Sequence, residues 1–301
     1  MGNVSYMVND VKFVEKAKLL SLFNLLLVFC ICVSFFFRQI DWSIDFTGGI
    51  VVEISVHDGQ TLDLEELRSK FRNNNLDVFQ HNVHHGQIIF KIKNAESDEK
   101  LAILRPILSE SGLVVDKIDY IGPNMTESVI KSGILAIAVS LLGVFLYILI
   151  RFDIIFAISA MTGIFFNIIV SAGVYVTGGI EFNMSSIAAL LTIIGYSIND
   201  IVVIFDRIKR SVPALEYSHY SANIIDVSIQ KTLRRTLLTS STTLLAALSM
   251  VILSKYELKT FSFVIAIGIL SGTYSSIFVA SPTICLISSV CDRLLSSKYS
   301  T

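Results

Sequence analysis

Six apolar segments, each long enough to cross a bilayer, constrain this chain more than any other feature of its sequence. A transmembrane helix needs about 20 mainly apolar residues, and lipid offers no hydrogen-bonding partner to an irregular backbone. The sequence therefore predicts a polytopic α-helical membrane protein. Composition agrees, because 53% of the 301 residues are hydrophobic and only 16% are charged, against about 25% in soluble domains. The predicted membrane helices are residues 19–37, 128–150, 154–176, 184–205, 235–254 and 261–290.

The longest polar segment, residues 38–127, separates the first two predicted membrane helices. Apolar residues alternate with the period of a strand in four places, and two stretches between them have helical spacing. The order β-α-β-β-α-β is that of a ferredoxin-like module. We therefore expect an α+β ferredoxin-like domain between the first and second helices.

Basic residues near the helix ends predict the orientation in the membrane. Lysines precede the first helix, and further basic residues occupy every second loop, whereas residues 177–183 contain neither lysine nor arginine. Both termini, residues 1–18 and 291–301, are therefore expected in the cytoplasm together with a connector, residues 206–234. Helical apolar spacing in residues 224–233 suggests a segment along the membrane surface. The polar domain is expected on the far side.

Asp200 is the most informative residue, because it interrupts the apolar fourth helix. A carboxylate at membrane depth costs roughly 2.5–3.5 kcal/mol on insertion scales. Such a group usually faces a bundle interior or a water path, and is a functional candidate by default. A structural polar contact between helices is the alternative. Other polar residues of the same stretch are Tyr196, Ser197 and Asn199, followed by Asp206 and Arg207.

Arg235 is the candidate partner of Asp200. It lies at the start of the fifth helix and shares a helical face with Thr239 and Thr243. Asp200 lies near the expected cytoplasmic end of its helix and Arg235 at the expected cytoplasmic start of the next, so depth allows the two residues to meet. A nearby guanidinium stabilises an ionised carboxylate, and its withdrawal favours the protonated acid. The sequence predicts a proton relay of Asp200 and Arg235, although Arg235 extending to the lipid headgroups is an open alternative.

Other chemistry has no support in the sequence. The four cysteines lie in or beside apolar runs, where they are expected to be small apolar side chains. No nucleophile–base pair, metal-ligand cluster or cofactor motif is evident, so no enzyme, no metal and no cofactor is predicted. The net charge of −1 gives no reason to expect a nucleic-acid partner.

Five sequence blocks carry a resemblance to a known family. The chain resembles the SecF family, the smaller membrane subunits of the SecD–SecF accessory complex of the bacterial Sec protein translocase. The first block contains Asp45, Gly48 and Gly49, and the fourth contains Asp206 and Arg207. The blocks are IDFTGG (44–49), IGP (121–123), RFD (151–153), IAALLTIIGYSINDIVVIFDRI (187–208) and TLRRTLLTSSTTLLAAL (232–248).

The resemblance implies a six-helix half of a resistance-nodulation-division type bundle in the inner membrane, completed by a SecD-like subunit, with a periplasmic ferredoxin-like domain. It also implies that the proton motive force drives late steps of preprotein translocation through a SecYEG-type channel, with the unfolded preprotein and protons as further partners. The family's proton-conducting Asp and Arg fall on Asp200 and Arg235. One departure is that the family usually has a His-Asp pair where this chain has Phe166-Asn167, which puts a proton role of that site in doubt.

Two other functions stay open at the level of sequence. A half-transporter of the same type, exporting a lipid or small molecule, would need a larger, pocketed periplasmic region than residues 38–127 offer. A passive membrane anchor that displays a binding module would leave Asp200 and Arg235 without a role.

Overall fold

The computed structural model describes residues 12–55, 69, 71, 78–84, 87–93, 104, 106, 114–212, 220–254 and 256–298. The chain divides into two compact units. We call residues 1–41, 136–180 and 185–301 the helical unit, and residues 42–135 and 181–184 the sheet unit. Within the described residues, six helices are long and apolar enough to cross a membrane, which confirms the predicted multi-pass architecture.

All the described strands lie together in one stretch of the chain, and the described helices precede and follow it. Two of the helices, α7 (Tyr256–Ser275) and α8 (Ser281–Lys298), are joined by one π-helical turn, Ser276–Ala280, and together contain the sixth candidate span. The helices are α1 (Phe13–Phe37), α2 (Ile44–Thr47), α3 (Pro123–Arg151), α4 (Ile154–Gly178), α5 (Met184–Ser211), α6 (Ala222–Leu253), α7 (Tyr256–Ser275) and α8 (Ser281–Lys298). The strands, all between α2 and α3, are β1 (Gly49–Ser55), β2 (Val78–His84), β3 (Gln87–Lys93) and β4 (Val114–Ile121).

The core of the helical unit is centred on aromatic rings at the facing ends of α4 and α5. Phe156 and Phe205 are fully buried, with ring centroids 5.1 Å apart, and Tyr220 lies 5.2 Å from Phe156. Ile225 and Ile229 at the start of α6 belong to the same cluster. Lipid tails are as apolar as these side chains, so close packing rather than transfer from water holds this end of the bundle together. Each aromatic pair contributes about 0.5–1.5 kcal/mol.

The connector between α5 and α6 differs from the sequence-based expectation. The sequence predicts a polar connector over residues 206–234, with part of it along the membrane surface. In the structure α5 continues to Ser211, and α6 begins at Ala222 and runs without interruption to Leu253. The apolar residues Ile225 and Ile229 bury their side chains in the protein core. The apolar face that suggested membrane contact is therefore used for packing.

The sheet unit contains a four-stranded sheet in the order β2-β3-β1-β4. Every neighbouring pair is antiparallel, and Val52 at the centre of β1 faces Phe90 of β3 and Ile118 of β4. Alternate residues of β1 are fully buried, as expected for a strand with one covered face. The four predicted strands are present, whereas the two predicted helices lie almost entirely outside the described residues. Of those stretches, Phe71 and Leu104 are described, and both are fully buried.

Candidate functional site

Asp200 lies inside the helical unit, on α5, with 1% of its surface exposed. Its Oδ2 accepts hydrogen bonds from Ser240 Oγ of α6 at 3.2 Å and from Thr273 Oγ1 of α7 at 3.3 Å. The two hydroxyl oxygens are themselves 2.7 Å apart. We call these three residues the Asp200 cluster; it joins three helices through one carboxylate oxygen.

The Asp200 cluster contains more hydrogen-bond contacts than its hydroxyl groups have hydrogen atoms to donate. Thr273 Oγ1 also lies 3.0 Å from the carbonyl oxygen of Ile269, which makes four contacts that each need a donor. The hydroxyls of Ser240 and Thr273 supply one hydrogen each. A proton on Asp200 would supply a third donor, so the geometry accommodates the carboxyl group in either protonation state.

Two buried hydroxyls without a partner flank the Asp200 cluster along the helices. The Tyr196 hydroxyl lies one turn before Asp200 on α5, and Thr236 Oγ1 lies one turn before Ser240 on α6. Neither has a hydrogen-bond partner among the described residues. Buried polar groups of this kind are normally satisfied by ordered water. Because α5 and α6 run in opposite directions, the two hydroxyls lie on opposite sides of the carboxylate.

Arg235 occupies a different face of α6 from the one that meets Asp200. Its side chain is exposed, and within the described part of the chain no carboxylate lies within ion-pair distance of it. Ser240 follows Arg235 by five residues, which is about 140° around the helix axis. The structure therefore does not bring Arg235 and Asp200 together, and their predicted relay stays a prediction.

The other predicted supporting residues have separate environments. The hydroxyls of Thr239 and Thr243 donate to carbonyl oxygens of their own helix, Thr239 to Arg235 at 3.1 Å and Thr243 to Thr239 at 3.0 Å. Asn199 is exposed, and with Tyr147 of α3 it lines a groove of about 390 Å³. The hydroxyls that bind Asp200 come instead from Ser240, the residue after Thr239 on α6, and from Thr273 on α7.

A second buried polar cluster is formed by Asn167 of α4, Ser197 of α5 and Ser271 of α7. Asn167 is 1% exposed; its Nδ2 donates to Ser197 Oγ, and its Oδ1 accepts from Ser271 Oγ. Gly272 allows the close approach, because a Cβ there would lie 2.6 Å from Ser197 Oγ and 2.8 Å from Asn167 Nδ2. We call these three side chains the Asn167 cluster.

The charged motif residues at the end of α5 pair with the turn between α3 and α4. Asp206 Oδ1 lies 3.4 Å from Arg151, and Asp206 Oδ2 lies 2.7 Å from Arg210. Lys209 donates to the carbonyl oxygen of Phe152 at 3.2 Å. Arg207 Nε is buried without a partner among the described residues. The RFD and FDRI blocks therefore meet in space, which anchors the tight turn at residues 151–153.

The glycine pair of the IDFTGG block has a steric explanation in the sheet unit. Gly48 adopts φ +71°, which favours glycine, and a Cβ on Gly49 would overlap the carbonyl oxygen of Ile92. The carboxylate of Asp45 accepts a hydrogen bond from the backbone N–H of Met184 at 3.0 Å. The motif thus fixes the start of β1 against β3 and holds the segment 181–184.

Three residues that sequence reasoning missed take part in these contacts. Ser240 and Thr273 bind Asp200, but serine and threonine occur on all faces of the TSSTT segment, so spacing could not single out Ser240. Asp226, 9% exposed, accepts a hydrogen bond from the backbone N–H of Val14 at 2.8 Å. Its position on an apolar helical face, between Ile225 and Ile229, was a signal available in the sequence.

Comparison with known families gives two matches along the chain. Residues 107–290 match the family described as protein export membrane protein SecD/SecF, C-terminal. Residues 33–59 match the SecD/SecF GG motif. The first match covers more than half of the chain and includes both buried polar clusters, whereas the second includes Gly48 and Gly49.

Individual proteins with similar sequences or structures include a subunit of the chain's own length and two longer proteins. Protein translocase subunit SecF of Calditerrivibrio nitroreducens is 32% identical over 297 residues, covering 95% of this chain and 96% of the relative. Protein translocase subunit SecDF of Brucella abortus is 32% identical over 80% of this chain and 32% of its own length. The crystal structure of SecDF from Thermus thermophilus matches 96% of this chain and 40% of its own chain, with a TM-score of 0.78 and 31% identity. The chain therefore spans less than half the length of these two SecDF proteins.

Proposed function

Because the chain belongs to the SecD/SecF family of protein export membrane proteins, we propose that it uses the proton motive force, together with a SecD-like subunit, to promote late steps of preprotein translocation. Family membership itself makes it a multi-pass inner-membrane subunit accessory to Sec translocation. The proposal adds the energy source, a SecYEG-type channel and the unfolded preprotein as partners.

The observation that carries the proposal is the Asp200 cluster. A carboxylate at membrane depth is costly, yet this one is 1% exposed and bound to hydroxyls of two other helices. The cluster has room for one more hydrogen atom than its hydroxyls provide. A proton that arrives at Asp200 can therefore be accommodated by redirecting the Ser240 and Thr273 hydroxyls, and its departure reverses the change.

The two unpartnered hydroxyls supply a route for the proton. Tyr196 and Thr236 lie on opposite sides of Asp200 along the helices, and waters bound to them would extend the hydrogen-bonded path about one helical turn to either side of the carboxylate. A charge that crosses the full membrane potential releases roughly 2.3 kcal/mol per 100 mV. That energy is sufficient to bias a helix arrangement with two alternative states.

In this proposal, Arg235 alternates with Ser240 as the partner of the Asp200 carboxylate. In the described geometry its guanidinium is exposed and away from Asp200, which corresponds to the unpaired half of the cycle. A rearrangement of α6 against α5 that brings Arg235 towards the carboxylate would remove Ser240 from it. Pairing with Arg235 would then stabilise the ionised acid and release the proton.

We further propose that the sheet unit is a periplasmic ferredoxin-like domain and that both termini are cytoplasmic. The strand order β2-β3-β1-β4 and the antiparallel pairing are those of this module when two helices cover one face. The burial of Phe71 and Leu104 supports such a cover, and the Phe71 and Phe90 ring centroids lie 5.5 Å apart. The orientation rests on the distribution of lysine and arginine.

The test compares preprotein translocation into inverted membrane vesicles with and without an imposed proton gradient. The chain is supplied with its SecD-like subunit and the Sec channel, either as wild type or as Asp200→Asn. We expect Asp200→Asn to remove the whole gradient-dependent component, because an amide cannot take up or release the proton, while complex assembly is unchanged.

Glu127→Gln is the matched control, because Glu127 is an exposed carboxylate paired only with Lys131 among the described residues. It should keep the gradient response of wild type. A normal gradient response in Asp200→Asn would contradict the proposal, and gradient-driven export of lipid without any effect on preprotein would favour a half-transporter instead.

A further inference from the structure

A groove of about 740 Å³ lies within the helical unit, between α1, α4 and the π-turn–α8 segment. We call it the α1–α8 groove. Its volume is in the range of ligand sites. On the α1 side its lining runs from Val14 to Val28, a length of about 21 Å at 1.5 Å per residue. One leaflet contributes about 15 Å of hydrocarbon, half of the bilayer core. The groove therefore extends from the membrane surface to about the middle of the bilayer.

The lining is charged at one end and apolar along its depth. Lys18 is exposed and lines the groove directly before the first apolar run; within the described part of the chain no carboxylate pairs with it, whereas Lys12 pairs with Glu15 at 3.3 Å. Deeper in the bundle, the Tyr274 hydroxyl donates to Asn24 Oδ1 at 2.7 Å, so the side-chain carbonyl oxygen of Asn24 has a partner within the protein. Beyond these groups the lining is mainly apolar.

We propose that the α1–α8 groove binds an anionic phospholipid, with one acyl chain in the groove and the headgroup at Lys18. A cation at headgroup level with an apolar channel below it is complementary to such a lipid. A closely packed helix is less suited to this surface. Helix contacts in membranes depend on small residues that let backbones approach. The groove has some small lining residues, but the bulky rings of Phe165, Phe166 and Phe278 also line it and would keep a second backbone at a distance.

The headgroup part is tested by native mass spectrometry of the full chain, titrated with phosphatidylglycerol or phosphatidylethanolamine of identical acyl chains. Wild type should retain phosphatidylglycerol preferentially. Lys18→Gln should weaken phosphatidylglycerol binding about fivefold, the contribution of one lysine near an anionic surface. Lys16→Gln is the matched control, because Lys16 is exposed on the same helix but outside the lining. Equal losses in both variants, or no loss in Lys18→Gln, would overturn the proposal.

The acyl-chain part is tested by filling the groove. Ser21 lines the groove and is exposed, so Ser21→Trp can place an indole there without disturbing the packed core. It should lower the occupancy of both lipids. Leu22→Trp is the control, because Leu22 is 73% exposed and outside the lining. Unchanged occupancy in Ser21→Trp, with a monodisperse and helical protein, would overturn the proposal.

The same titration with the SecD-like subunit bound distinguishes lipid from a protein occupant. We expect the complex to retain phosphatidylglycerol with the same Lys18 dependence. Loss of the lipid on complex formation would assign the α1–α8 groove to a helix of the partner and refute the lipid site.

Discussion

The Asp200 and Asn167 clusters have similar arrangements, but the central side chain carries a carboxyl group in the first and an amide in the second. Each places a buried carboxyl or amide group between hydroxyls of two other helices, and both use α5 and α7. The amide has fixed donors and acceptors, so its links persist unchanged. The carboxyl group can gain or lose a proton and must then rearrange its partners. One cluster is therefore a permanent connection, and the other is a connection that a proton can alter.

The comparison of the two clusters also accounts for Phe166 and Asn167, the positions at which this chain differs from the usual family pattern. The family usually has an ionisable His-Asp pair there, and this chain has neither group. The structure shows that Asn167 is buried and hydrogen-bonded on both sides of its amide. The position therefore has a polar, interhelical role without charge, and in the proposed cycle Asp200 is the group that takes up the proton.

The largest effect expected beyond Asp200 itself is that of Arg235→Ala. If Arg235 alternates with Ser240 as the partner of the carboxylate, the variant should lose the whole gradient-dependent component of translocation. Its thermal stability should stay close to that of wild type, because the side chain is exposed and unpaired in the described geometry. Vesicle translocation assays and thermal unfolding measure the two quantities.

Arg234→Ala provides the control for Arg235→Ala, because Arg234 is the neighbouring exposed arginine on α6. A gradient response lost to the same extent in both variants would indicate a general need for positive charge at this end of the helix. A normal response in Arg235→Ala would remove the arginine from the proton cycle and leave Asp200 to act with hydroxyls alone.

Gly272→Ala should break the Asn167 cluster. The added Cβ would lie within 3 Å of both Ser197 Oγ and Asn167 Nδ2, so we expect a loss of about 1–3 kcal/mol in the free energy of unfolding, as for overpacked cores. Gly143→Ala is the matched control, because nothing lies within 4 Å of its Cβ position, and alanine favours a helix by up to about 1 kcal/mol. Detergent unfolding curves would show the opposite signs; a stable Gly272→Ala would mean that α7 shifts without cost.

Asn167→Leu should have a smaller effect, confined to stability. Removing the amide leaves Ser197 and Ser271 without their shared partner, and interhelical hydrogen bonds in membrane proteins contribute about 0.6 kcal/mol on average and up to about 1.7. The same unfolding assay measures the loss, and the gradient response of translocation should be unchanged. A lost gradient response would show that the two clusters function as one.

The sequence was sufficient for the parts of the fold that depend on long patterns. The six spans follow from apolar length, the four strands from alternation, and the burial of Asp200 from the high cost of a carboxylate in lipid. The partners of Asp200 could not be predicted, because hydroxyl residues surround α6 at this level and only the packing selects Ser240 rather than Arg235 or Thr239. The start of α6 was misplaced for a related reason, since an apolar helical face is the same whether it lies on lipid or on Phe156.

The unbroken length of α6 has a mechanical consequence. Near one end, Asp226 accepts a hydrogen bond from the first turn of α1, and 14 residues further, about 21 Å along the axis, Ser240 binds Asp200. A rigid helix cannot rotate about its axis at one of these residues while the other stays in place. Any twist that frees the acid therefore also pulls on the membrane entry of α1, and so reaches the rim of the lipid groove proposed above.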